Sequence, residues 1–274
     1  DKEYFENISG YNKLMLSSLF YQNFYKKYIL IYQTDAFVFR DELNFWINKD
    51  YDYIGAPWLR SHKKIPFLKL ALEKTAAAFK TIINYKGNGK TQKDKSLTYN
   101  QVGNGGLSLR KRAKCIEILE KLPNIVEIYL KSLGDFYNED IFWSIEAKRN
   151  GIDFSKPDYK EACAFSIENK QEKAMQYNLG KLPFACHRWN KERDFWRKYF
   201  EKEGLEFDEI YNEFIEIGKK LPFPKLNFPP LNSYIYTQLH LLQDGNKLFH
   251  ALANHQYPVS SLLSSSILTN DLGL

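Results

Sequence analysis

Apolar residues along this chain come in short blocks that stop abruptly on polar or glycine-rich stretches. The most pronounced block, Tyr28-Ile29-Leu30-Ile31-Tyr32, ends on Gln33-Thr34-Asp35 and resumes as Ala36-Phe37-Val38-Phe39. Its brevity and its aromatic and β-branched content predict a strand of the parallel kind, covered on both faces. Such a strand delivers Asp35 to the rim where open α/β sheets bind ligands. A carboxylate between two apolar runs needs a cation, a hydrogen-bond network or a metal beside it, unless it merely caps the next turn.

Ahead of this block, Ile8, Tyr11, Leu14, Met15, Ser18, Leu19 and Gln22 recur at mostly helical spacing, which predicts a helix within residues 5–25. Downstream, Asp41 to Trp46 reads as a short helical turn, and Tyr51 to Trp58 as a second strand stopped by Gly55 and Pro57. Leu59 to Asn100 is lysine-rich, with one helix, Leu68 to Ile83, and a loop at Lys86-Gly87-Asn88-Gly89-Lys90. Such a run is either a solvated face or a lid over a phosphate-bearing ligand. Val102-Gly103-Asn104-Gly105-Gly106-Leu107-Ser108-Leu109-Arg110 precedes a helix at about 111–121. Its glycines signal positive φ, close backbone approach or a tight turn between strands, and they match neither a P-loop nor a dinucleotide fingerprint. Asn138-Glu139-Asp140 opens a helix that runs to about Asn150 and closes at Gly151; acids in a first turn are also ordinary dipole partners. Ala162 to Phe165 reads as extended, and Pro183 to Trp189 as an apolar run ending on His187. From Lys191 the pattern is helical and amphipathic through Phe195, Trp196, Tyr199, Phe200, Ile210, Phe214 and Ile215. Beyond the prolines from Pro222 to Pro230, Tyr234 to Ala253 predicts a last helix before a serine-rich tail.

With 274 residues the chain can bury a full core, and its size suits one large α/β domain with an appendage or two small domains. Lys and Arg, 39 in all, exceed the 33 Asp and Glu, but the surplus is spread among acidic neighbours. That pattern points to anionic small molecules or membrane surfaces and away from nucleic acid. Cys115, Cys163 and Cys186 are widely spaced, with no Cys-x-x-Cys pair, so neither a zinc site nor a disulfide framework is expected, and a reducing cytoplasm is. No apolar stretch approaches the ~20 residues of a membrane span.

Four stretches thus end an element on reactive chemistry: Gln33-Thr34-Asp35, Gly103-Asn104-Gly105-Gly106, Asn138-Glu139-Asp140 and His187. Together with Ile54-Gly55-Ala56-Pro57-Trp58, and in this order, they resemble the GT-A class of sugar-nucleotide-dependent glycosyltransferases. The match is most similar to a little-characterised bacterial and fungal family of glycosyltransferase-like domains, over roughly the first 190 residues. The resemblance implies an α/β fold: a GT-A-like mixed sheet flanked by helices over residues 1–190, and a mainly helical accessory segment over 191–274. Only 27 residues precede Tyr28, fewer than the roughly 30 of a βαβ unit. The nucleotide-base unit of such enzymes therefore either lies upstream or is replaced by another part of the chain.

The activity implied is metal-dependent transfer of a sugar from a nucleoside diphosphate sugar to a glycan, polysaccharide or lipid-linked acceptor. The alternative is a catalytically inactive sugar- or nucleotide-binding domain. By this resemblance Asp35 stands for the last carboxylate of the family's Asp-x-Asp metal motif, with Gln33 in place of the first. His187 would complete a site suited to Mn²⁺ more than to Mg²⁺. Gln33 and Thr34 would face the donor. Gly103, Asn104, Gly105 and Gly106 would let sugar hydroxyls approach the backbone, and Trp58 would stack on a sugar face. Asp140 or Glu139, with Asp140 preferred, would act as general base. Trp143 is either a second stacking residue or core. The aromatics from Phe195 to Phe200 would either be buried or dock the protein at the inner face of the membrane.

Overall fold

The computed structural model describes residue 4 and residues 7–33, 35–60, 67–82, 97–132, 134–220 and 237–240. The fold is mixed α/β, with two small sheets flanked by helices and a helical region after residue 190. Its described strands are β1 (Tyr28–Gln33), β2 (Ala36–Val38), β3 (Tyr53–Gly55), β4 (Leu107–Lys111), β5 (Ser166–Ile167), β6 (Ala185–His187) and β7 (Thr237–His240). One sheet runs β3-β4-β1-β7 and is antiparallel throughout; the other runs β2-β6-β5, with β2 antiparallel and β5 parallel to β6.

All six residues of β1 are buried, and their alternation feeds two cores. Ile29 and Ile31 join Tyr53, Cys115, Ile118 and Trp143 on one face, while Tyr28, Leu30 and Tyr32 join Trp46, Ile54, Leu107, Leu109 and Phe165 on the other. A strand covered on both faces reads as a continuous apolar run whatever the direction of its neighbours. The expectation of a parallel strand is therefore corrected: β1 is central but antiparallel to both β4 and β7.

Three other expectations change. The helix read within residues 5–25 is two, Ile8–Met15 and Ser18–Gln22, and the Tyr21 hydroxyl donates to the Met15 carbonyl across the break (3.0 Å). Ala162 to Phe165 is helical, in Tyr159–Phe165. The Asp158 carboxylate caps this helix by accepting from the Lys160 (2.7 Å) and Glu161 (3.3 Å) amides, a start signal that outweighs the small apolar tetrad. Within the expected Tyr234–Ala253 helix, Thr237–His240 is the edge strand β7; the rest of that stretch, the loop at Lys86 to Lys90 and the serine-rich tail lie outside the described residues.

Helices Arg193–Lys202 and Phe207–Lys220 follow residue 190. Trp196, Phe200 and Phe207 are fully buried against Phe37, Phe39 and Trp189, so the aromatic face of this segment is covered by the strands that precede it. With β7 paired to β1, residues beyond 190 share both core and sheet with the first region. No helix among the described residues is long and apolar enough to cross a membrane.

On β4 the side chains of Ser108 and Arg110 face the first core. The Arg110 guanidinium is wholly buried there. It donates to the Tyr21 hydroxyl (2.8 Å) and to Ser108 Oγ (2.9 Å), and it pairs with both carboxylate oxygens of Glu139 (3.0 and 3.1 Å). Burial by itself pushes a guanidinium toward neutrality, but the Glu139 charge beside it holds Arg110 charged. Glu139 begins the run Glu139–Ile141, a π-helical turn Phe142–Glu146 and Ala147–Arg149. Trp143, 1% exposed, packs edge-on to Tyr21 and Phe142 and is core. Removing one charge of such a pair strands the other. Glu139→Gln is therefore expected to cost about 3–5 kcal/mol in denaturant unfolding, and a cost under about 1 kcal/mol would show that the pair is not buried as described.

Candidate active site

Strand register brings the sequence-predicted residues to one end of the two sheets. The β2–β6 pairing sets Ala36 opposite His187, so Asp35, one residue earlier, falls beside the imidazole. The β1–β4 pairing continues past Tyr32 and Leu107, and the Gln33 amide donates to the Gly106 carbonyl (2.8 Å). The Tyr32 hydroxyl donates to the Ala36 carbonyl (2.8 Å), clamping the bend between β1 and β2. As a result His187 Nε2 lies 3.0 Å from Asp35 Oδ1 and 3.1 Å from Gln33 Oε1. Thr34 lies outside the described residues.

The glycine loop is built for close approach, by this chain's own side chains. A Cβ on Gly106 would sit 2.1 Å from His187 Nε2 and 2.5 Å from Gln33 Oε1; one on Gly105 would lie 1.8 Å from Glu139 Oε1, and one on Gly103 would fall within the Trp58 ring. Of the alternatives read from the sequence, close approach is the one these glycines serve, and the space expected for sugar hydroxyls beside them is filled by protein. Positive φ occurs in this loop at Asn104 (65°), whose Oδ1 accepts from the Gly106 amide (3.1 Å). Gly55 faces the same loop: its Cβ would be 2.1 Å from the Gly103 carbonyl oxygen. The Gly55–Trp58 and Gly103–Gly106 stretches thus pack on each other.

Of the two adjacent acids, Glu139 is taken up by Arg110, and Asp140 is left half-buried outside that pair. Burial pushes the Asp140 carboxyl up to about 8, helped by the negative charges of Glu139 and Glu168. Glu168 itself lies beside His187 and Arg188, with Oε1 3.8 Å from His187 Nδ1 and 3.2 Å from Arg188 Nη1. Burial raises Asp35 as well, yet the charge and hydrogen bond of His187, with the charge of Arg188, outweigh it and hold Asp35 below the usual carboxylate value. For His187, burial lowers the imidazole while Asp35 and Glu168 raise it, and the net shift is upward. Lys191 is pushed down by burial and by Arg188.

Metal bonds of about 2.1 Å meeting at right angles put neighbouring donors about 3.0 Å apart. The separations from His187 Nε2 to Asp35 Oδ1 and Gln33 Oε1, 3.0 and 3.1 Å, match one face of such a shell, although a hydrogen-bonded cluster has the same dimensions. His187 Nδ1 is buried without a hydrogen-bond partner, and the nearest carboxylate oxygen, Glu168 Oε1, is 3.8 Å away. Among the described residues no group of three or more His, Cys, Asp or Glu side chains is placed to hold a metal ion; the third donor here is an amide. The donors fit a cation, with two ionisable ligands rather than three.

A family model described as a protein of unknown function (DUF5672) matches residues 1–187. The chain belongs to that family. The matched span ends on His187 and takes in every sequence-predicted site residue. No curated protein and no solved structure matches the chain.

Arg110, Glu168, Arg188 and Lys191 were not singled out from sequence. Arg110 sits at the end of the glycine motif, Arg188 directly follows His187, and Glu168 joins the cluster only through the β5–β6 pairing. The ion pair makes stability depend on pH. Asp35, with a depressed folded value, stabilises above its ordinary value near 3.9 and loses this as pH falls through the folded value. His187, with a raised folded value, stabilises fully below about 6.5 and loses this as pH rises through the folded value. Asp35→Asn should therefore destabilise by about 1.5–3 kcal/mol near pH 5.5 and by much less near pH 9. Equal losses of thermal stability at the two pH values would rule out a charged pair.

Proposed function

We propose that this protein is a glycosyltransferase of the GT-A kind, moving a sugar from a nucleoside diphosphate sugar to a hydroxyl of a glycan, polysaccharide or lipid-linked acceptor. The observation that carries this reading is the convergence of Gln33, Asp35 and His187 at Gly106 with Glu139, the residue before Asp140, at the neighbouring Gly105. Asp140 would take the proton of the acceptor hydroxyl as its oxygen bonds to the anomeric carbon, while the bond to the diphosphate breaks and its electron pair leaves with the phosphate. A carboxyl held near 8 is a stronger base than an ordinary one and titrates close to working pH. Arg188 and Lys191 supply positive charge at the opening, and Arg110 keeps Glu139, and with it Asp140, in place. A divalent cation, Mn²⁺ in preference to Mg²⁺ because one donor is an imidazole, would be held by Asp35, His187 and the Gln33 amide oxygen and would neutralise the departing diphosphate.

A second reading, a binding domain without turnover, is favoured by Gln33, an amide where a second carboxylate would strengthen cation binding. The two separate in a panel of nucleoside diphosphate sugars with Mn²⁺, read as release of nucleoside diphosphate. The transferase should release it from at least one donor and lose this with a chelator. Calorimetric binding without release supports the second reading, and neither binding nor release removes both.

A base acts in the transition state, so Asp140→Asn should lower turnover by roughly 10²–10⁴-fold with donor affinity little changed. Because Asp140 holds its proton at neutral pH, activity should rise with pH through about 8. Glu168→Gln, which removes a negative charge that raises Asp140, should move that limb to lower pH. A limb that stays put would show that another group titrates.

A further inference from the structure

The helix Phe67–Ile82 carries an apolar stripe on its outside. At 100° per residue, Leu68, Leu72, Thr75 and Phe79 fall within about 60° of one another along roughly 16 Å of helix. Leu68 is 71% exposed, Leu72 63% and Phe79 62%. Glu73, on the opposite side, pairs with Arg60, which lies two residues after Trp58. The inward side is therefore tied to the protein and the outward side has an apolar ridge. Elsewhere in the described residues most large apolar side chains are covered, including Trp196 and Phe200 of the other amphipathic segment.

The sequence on either side of this helix is basic. Lys63 and Lys64 precede it and Lys86, Lys90, Lys93 and Lys95 follow it, against Asp94 alone, and Lys69 lies exposed next to the stripe. An apolar ridge flanked by cations suits a partner that is apolar inside and negative at its surface. Three apolar side chains fall well short of the roughly 800 Å² that each partner contributes to a stable protein interface. They are enough to anchor an interfacial helix when basic residues add their attraction.

We infer that this face of Phe67–Ile82 is a docking surface for an anionic phospholipid bilayer. Leu68, Leu72 and Phe79 enter the acyl boundary, and Lys69 beside them meets the headgroups. The inference does not depend on glycosyl transfer.

The test is co-sedimentation of the full chain with vesicles of phosphatidylcholine alone and with a quarter phosphatidylglycerol, at low and high salt. Binding should need phosphatidylglycerol and weaken with salt. Leu72→Glu combined with Phe79→Glu should reduce the bound fraction at least about tenfold, with circular dichroism and melting unchanged because Glu is a good helix former. Leu19→Glu, at another exposed leucine, should leave binding intact. No binding to anionic vesicles overturns the inference, as does binding that the double variant leaves unchanged. A concentration-dependent dimer that the double variant dissolves, without vesicle binding, would assign the stripe to a second copy and also overturn it.

Discussion

A wholly buried guanidinium is tolerable only when nearly every donor is satisfied and its charge is matched, and Arg110 meets both conditions through Glu139, Tyr21 and Ser108. The pair fixes three things at once. It holds the start of the Glu139–Arg149 run against the sheet, with help from Asn12, whose side chain accepts from the Glu139 amide (3.0 Å). It draws the Glu139 carboxylate onto the backbone of Gly105, where a Cβ would lie 1.8 Å from the oxygen, and so requires glycine there. And it leaves Asp140, the next residue, half-buried outside the pair.

The rest of the site follows from strand ends. Gln33 closes β1, Asp35 precedes β2 and His187 closes β6, so the polar termini of the two sheets meet at the edge of an apolar core they share, in which Leu30 and Leu107 of one sheet cluster with Val38 and Ala185 of the other. Gly106 lets the imidazole and the Gln33 amide press onto the backbone. Desolvation and charge act in opposite directions at the two aspartates: Asp35 is held ionised by His187 and Arg188, while burial and the charges of Glu139 and Glu168 favour the protonated form of Asp140.

The C-terminal helices extend this architecture. Phe37 and Phe39 alternate away from Ala36 and Val38, which leaves one face of the second sheet uncovered until Trp196, Phe200 and Phe207 close it. Burial of that aromatic layer removes the surface that amphipathicity alone would have offered to a membrane, and the exposed apolar ridge lies on Phe67–Ile82.

By itself the sequence determined the strands at Tyr28–Gln33 and Tyr53–Gly55 and the helices after Leu109 and after residue 190, that β1 is buried on both faces, and that Gln33 to Asp35, the glycine loop, Glu139-Asp140 and His187 lie at the boundaries of elements. These are local properties, written in side-chain period, glycine content and the abrupt change from apolar to polar. Only the tertiary structure decided the antiparallel direction of β1, because a doubly covered strand has the same apolar run either way. It alone decided the edge strand at Thr237–His240, which lies far along the chain from its partner β1. It also separated the roles of Glu139 and Asp140, adjacent and chemically alike, by supplying Arg110 to one and withholding it from the other. The three glycines at 103, 105 and 106 announced a close approach, but the approaching groups, Trp58, Glu139, Gln33 and His187, come from four other parts of the chain, and only packing brings them there.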